Sequence, residues 1–174
     1  GSLSVEALRV DGDALDLSGS VNLTGEEIAA AITGQINQAA IADAALNGQA
    51  QFDLKASGTT SAPAIDLTAS AANLEVVGRQ LTDLQARIQG TFAPEAPAGT
   101  VAVNGTFDGA PLSLSADLAT EGDVRRLRNL LLRQGQNRVE GEVALDGENR
   151  ATGAIRLAIE DATTLLALAG QDGS

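Results

Sequence analysis

The stretch from Ala64 to Gly78, AIDLTASAANLEVVG, alternates apolar and polar residues. Ile65, Leu67 and Ala69 share one parity, and Asp66, Thr68 and Ser70 the other. Side chains of an extended chain point to opposite faces in turn, so the pattern marks a strand with one dry and one wet face. The same alternation recurs along most of the sequence. Leu15, Leu17, Gly19, Val21 and Leu23 share a parity, as do Phe52, Leu54 and Ala56. Leu84, Ala86, Ile88 and Phe92 follow, then Val101, Val103 and Phe107, then Leu112, Leu114, Ala116 and Leu118. Val139, Val143 and Leu145, and finally Ile155, Leu157 and Ile159, continue the series. The intervening positions carry Asp53, Lys55, Gln85, Arg87, Asn104, Ser113, Glu140, Glu142 and Arg156. This predicts about ten half-buried strands. Turn residues separate them at Asp11-Gly12-Asp13, Gly58 to Pro63, Pro94 to Gly99, Asp108-Gly109 and Asp146-Gly147, and such short links favour antiparallel neighbours.

Three places break the alternation. Thr24-Gly25-Glu26-Glu27 has the spacing of a capping box, which predicts a short helix over Ile28 to Ile32. Thr120 to Asp123 reads as a second helix start, with Val124, Leu127, Leu130 and Leu131 at helical spacing. Asp161 reads as the cap of a last helix carrying Leu165, Leu166 and Leu168, and the run Ala39 to Leu46 fits either helix or weak strand. Each predicted helix follows a strand, so the three read as loose copies of one unit. A second repeat matches Leu8, Val10, Gly12 and Leu15 of LRVDGDALDLSG to Leu74, Val76, Gly78 and Leu81 of LEVVGRQLTDLQ. Such self-similarity points to units that pack mainly on their neighbours.

Composition then limits what the dry faces can cover. Of the 174 residues, 44% are hydrophobic but only 2% aromatic, with three Phe and no Trp or Tyr. The chain is too apolar to be disordered, yet it lacks the rings that fill most compact cores. Two arrangements are open. Two sheets can press their dry faces together as a sandwich, or one sheet can bend into a trough that stays partly open. The second would expose far more apolar surface than a soluble monomer usually shows, and such a surface must meet something oily. Leu, Ile, Val and Ala offer non-directional contact worth roughly 25 cal/mol per Å² buried, which suits a ligand that slides.

The net charge of −12 disfavours a nucleic-acid partner. One basic cluster, Arg125, Arg126, Arg128 and Arg133, reads either as a solvated helix face or as a surface for acidic headgroups. Without His, Cys or Tyr the common nucleophile–base pairs cannot be assembled, and the expectation is a non-enzyme. Glu26 and Glu27 are explained by a helix start. Asp11, Asp13 and Asp16 lack the spacing and distal glutamate of a calcium loop, and no His or Cys cluster suggests a metal. No catalytic, cofactor or metal residue is expected. No apolar run approaches the roughly 20 residues of a membrane span.

Two stretches carry a family likeness. GTTSAPAIDLTASAANLEVVGRQLTDLQARIQGTF and LRNLLLRQGQNRVEGEVALDGENRATGAIRLAIED resemble the repeat of the TamB and AsmA-like family, and the likeness covers about residues 50–170. The resemblance implies a mainly β fold: an elongated, curved, taco-like antiparallel sheet with an apolar groove, here with a few short helices. It implies a periplasmic segment of a long envelope protein anchored in the inner membrane, the anchor lying outside this chain. Gly1-Ser2 then reads as an expression scar, and residues 3–174 as one repeat-built segment with 3–49 and 50–174 as loosely similar halves. The implied cargo is phospholipid or another acyl lipid, or unfolded outer-membrane β-barrel proteins, handed on with a TamA-like outer-membrane partner. The positions matching the groove pattern are Leu54, Ile65, Leu67, Leu74, Val76, Leu84, Ile88, Val101 and Val103, then Leu112, Leu114, Val143, Leu145, Ile155 and Leu157. The alternative reading is a structural or adhesive β-solenoid or β-sandwich with a closed core and no cargo.

Overall fold

The computed structural model of the chain describes residues 1–37, 46–76, 78–148 and 150–160. Strands make up about 80% of it, and no helix occurs among the described residues. The strands are β1 (Ser2–Val10), β2 (Leu15–Thr24), β3 (Glu27–Ile36), β4 (Leu46–Gly48), β5 (Ala50–Thr59) and β6 (Ala62–Val76). They continue as β7 (Arg79–Thr91), β8 (Ala98–Phe107), β9 (Ala110–Glu121), β10 (Val124–Gln134), β11 (Asn137–Leu145) and β12 (Ala151–Ala158). All lie in one antiparallel sheet in chain order, except that β4 pairs with the far end of β6 and extends β5 along it. The sheet is open, and among the described residues β1 and β12 are its edges. The predicted meander of half-buried strands is what forms.

The turns explain why two of the predicted helices do not form. Gly25, Gly122 and Gly135 sit at φ 62°, 60° and 59°, each as the first central residue of a two-residue hairpin. A primed turn needs a left-handed residue there, and glycine supplies it without a Cβ penalty. The capping-box spacing of Thr24 and Glu27 is therefore that of a hairpin, in which the two residues face each other across the turn. At Thr120 to Asp123, β9 runs on to Glu121, Gly122 and Asp123 turn, and β10 begins. The helical spacing of Leu127 and Leu130 comes from a bulge at Asn129, whose φ is 52°. One extra residue in a strand puts positions three apart on the same face. Asp83, also at φ 52°, does the same for Leu81 and Leu84, and a register shift in β1 does so for Val5 and Leu8. Asn and Asp tolerate this conformation best after glycine. The third predicted helix, from Asp161, and the run from Ala39 to Ala45 lie outside the described residues. The two stretches of the second repeat both fall at hairpins, β1–β2 and β6–β7, but in different registers: Val10 stands opposite Leu17, whereas Val76 stands opposite Arg79.

No second layer covers the sheet among the described residues. All substantial strand contacts are between sheet neighbours. Apolar side chains on the dry face are mostly half-buried, shielded by cross-strand and same-strand neighbours. Only Ala71, Phe107 and Ala116 are buried hydrophobics among the described residues. The most exposed large side chains mark the edges: Leu3 at 59% in β1, and Ile155 and Leu157 at 55% and 61% in β12.

Candidate functional site

Strand register assembles the dry face row by row. Ile32, Leu54, Leu67, Ile88, Val101 and Ala116 stand directly opposite one another in β3, β5, β6, β7, β8 and β9. A second row runs Ala86, Val103, Leu114, Leu132, Val139 and Leu157 from β7 to β12. Directly opposite residues share a face, and so do residues two apart between bulges. By this rule Ile65, Leu74, Leu84, Leu112, Val143, Leu145 and Ile155 belong to the same face as the rows. Val76 closes β6 opposite Arg79 and Leu46. The sequence-derived set is thus one continuous aliphatic surface rather than scattered positions. It left out Ile28 and Ile32, hidden by the helical reading of β3, and Leu127, Leu130 and Leu132, whose parity the Asn129 bulge scrambles.

Polar groups close this face at two places. Gln134 and Asn137, 1% and 3% exposed, face each other at the β10–β11 hairpin, opposite Leu112. The Asn137 amide donates to Gln134 Oε1 at 3.3 Å, and the Glu160 backbone N–H donates to Asn137 Oδ1 at 2.9 Å. Gln134 Nε2 is buried without an acceptor among the described residues. At the other end of β10, Arg125 lies on the apolar face opposite Thr120 and Leu145. The four arginines read together as one helix face are therefore split by strand alternation. Arg126 and Arg128 lie on the polar face, where Glu121 accepts hydrogen bonds from both.

The polar face carries further charged pairs. Arg87 grips Asp66 through Nε and Nη2 at 3.3 and 2.8 Å, and the Gln89 amide adds a third hydrogen bond at 2.9 Å. The Arg87 hydrogen bond, opposed by partial desolvation, holds the Asp66 carboxyl below the usual aspartate range. Glu121 is lowered chiefly by Arg128, and Asp146 chiefly by the backbone N–H of Arg150. A carboxyl lowered in the folded state stabilises the fold above its unfolded value, and the contribution is lost as pH falls through the folded one. The pairs are solvent-exposed, so each effect is small. Asp66→Asn is expected to melt below the parent at pH 7. The difference should shrink to nothing in thermal melts as pH drops below the ordinary aspartate value of about 3.9. A difference that grew on acidification would contradict this assignment.

A broad cavity lies on this polar face and not on the apolar one. It is an open trough of about 1370 Å³ that crosses β1, β2, β3, β5, β6, β7 and β8, and none of the sequence-derived groove residues lines it. Seven strands at the usual spacing make it about 29 Å long.

Fold and site together define an open, single-layer antiparallel β-sheet protein with one aliphatic and one polar face. No protein-family model, curated protein or solved structure matches the chain.

Proposed function

We propose that the chain is a periplasmic segment of an inner-membrane-anchored envelope protein of the TamB or AsmA-like kind. Its aliphatic face receives phospholipid acyl chains in transit to the outer membrane. The observation that supports this reading is the continuous aliphatic face with no layer over it among the described residues. A strand of six residues is about 20 Å long, which is close to the length of an acyl chain. From β3 to β9 the row through Leu67, and from β7 to β12 the row through Leu114, contain only Ala, Val, Leu and Ile, so nothing there fixes a hydrocarbon at one position. Among the described residues, the edge strands β1 and β12 have one side without a partner strand. An amphipathic strand of an outer-membrane protein is a second cargo that could add there by β-augmentation. A TamA-like partner would be met by regions outside this chain.

Denaturing mass spectrometry of protein purified from bacteria without detergent tests the proposal. Stoichiometric phospholipid is the expected result. Protein that carries none, and acquires none when incubated with phospholipid vesicles, would overturn it and favour the closed, cargo-free alternative.

A further inference from the structure

One arginine stands on the aliphatic face away from any acid. In a chain of net charge −12 carboxylates are plentiful. Among the described residues, the chain's 11 Lys and Arg are all ion-paired except Arg125, Arg133 and Arg156. Arg133 stands opposite Ser113 and Arg156 opposite Glu140, both on the polar face. Of the three, Arg125 is the one on the aliphatic face. Thr120, Leu118, Leu145 and Val143 face it from the strands on either side, and no carboxylate does. The Thr120 hydroxyl is turned away, donating to the Pro97 carbonyl at 2.7 Å. Asp123, in the turn before β10, makes no ion pair with Arg125 among the described residues. Arg79, opposite Val76 at the other end of the strands, is by contrast held by Asp108 at 2.8 Å.

The position of Arg125 gives the face a direction. It lies at the start of β10, and Leu127, Leu130 and Leu132 follow on the same face before Gln134 closes it. From Arg125 to Gln134 the strand runs roughly 27 Å. The order along it is a cation, then hydrocarbon, then a buried amide pair. An amphiphile with an anionic head and a tail as long as six residues of strand, about 20 Å, fits this order lengthwise. A guanidinium takes a phosphate through paired N–H donors, and apolar neighbours that displace water strengthen such a pair. A head without negative charge gains nothing there. We propose that Arg125 binds the phosphate of a phospholipid whose acyl chain lies along β10 toward Gln134. The inference rests on the acyl-chain reading of the face and adds to it the charge of the head and the direction of the tail. The aliphatic rows let the tail slide, and the arginine marks where the head stops.

Calorimetric titration of the intact chain with oleoyl lysophosphatidylglycerol and with monooleoylglycerol, each below its micelle concentration, tests this. The two lipids share an acyl chain, and only the first carries a phosphate. It is expected to bind about tenfold more tightly, with an advantage that shrinks as salt is raised. Arg125→Gln should bring it down to the affinity of the neutral lipid. Arg133→Gln, on the polar face, should keep the preference. Both arginines are exposed, so neither change threatens the fold, and circular dichroism of the variants checks that. Four results would overturn the inference while leaving the acyl-chain reading in place. They are equal binding of the two lipids by the parent, a preference that survives Arg125→Gln, a preference that Arg133→Gln abolishes, and glycerol 3-phosphate binding as tightly as the phosphate lipid. A parent that binds neither lipid overturns both readings.

Discussion

Phe107→Ala is expected to destabilise the fold by about 3 kcal/mol, at the low end of the usual cost for a buried phenylalanine. For a chain of this size that is a fall in melting temperature of about 6–12 °C. Phe107 ends β8 on the apolar face, in a row with Leu74 and Leu81, and is only 4% exposed. It is the one large hydrophobic side chain in the buried class among the described residues. Leu157, 61% exposed on edge strand β12, belongs to the same face but has little burial to lose, and Leu157→Ala should cost less than about 1 kcal/mol. Chemical and thermal denaturation of the two variants side by side measures the contrast. Equal losses would mean that the apolar face is sealed along its whole length, which the half-burial of its side chains contradicts.

Leu67→Glu and Leu114→Glu should separate binding from folding. Both residues are half-buried at the centre of the aliphatic rows, and among the described residues their strands make substantial contact only with sheet neighbours. A glutamate there loses apolar contact worth about 1–2 kcal/mol but can still turn its carboxylate toward water. In a closed core the same change would bury an unpaired charge and cost far more. The expected result is a β-type circular dichroism spectrum close to the parent's and a loss of affinity for an apolar dye or acyl lipid of about tenfold, which corresponds to 1.4 kcal/mol. Collapse of both variants to unfolded protein would contradict an uncovered face.

Much of this was legible in the sequence because period-two alternation is a local signal. Leu54, Leu67, Val101 and Leu114 could be placed on one face without knowing which strand paired with which. What misled was equally local. Gly25 and Gly122 head hairpin turns inside stretches whose flanking residues have helical capping chemistry. The bulge at Asn129 shifts parity by one residue, so Leu127 and Leu130 fall at a spacing that a helix would also give. The Gln134–Asn137 pair was invisible because its burial depends on the hairpin that brings the two amides together. The trough was beyond sequence reading for a different reason. Gln35 and Asn104 share a wall only through the register of every strand between β3 and β8, and no local pattern encodes that sum. The split of Arg125 from Arg126 and Arg128 follows once β10 is known to be a strand.

The claim on which the account rests is that hydrocarbon reaches the middle of the aliphatic face. Methyl spectra of the isotope-labelled chain, recorded with a fatty acid spin-labelled near its methyl end, measure it directly. The account predicts selective broadening of the Leu54, Leu67, Ile88, Val101 and Leu114 methyls, while the methyls of Thr68 and Thr100 on the polar face stay sharp. Sharp signals across the central rows, with broadening confined to Ile155 and Leu157 at the edge, would contradict it.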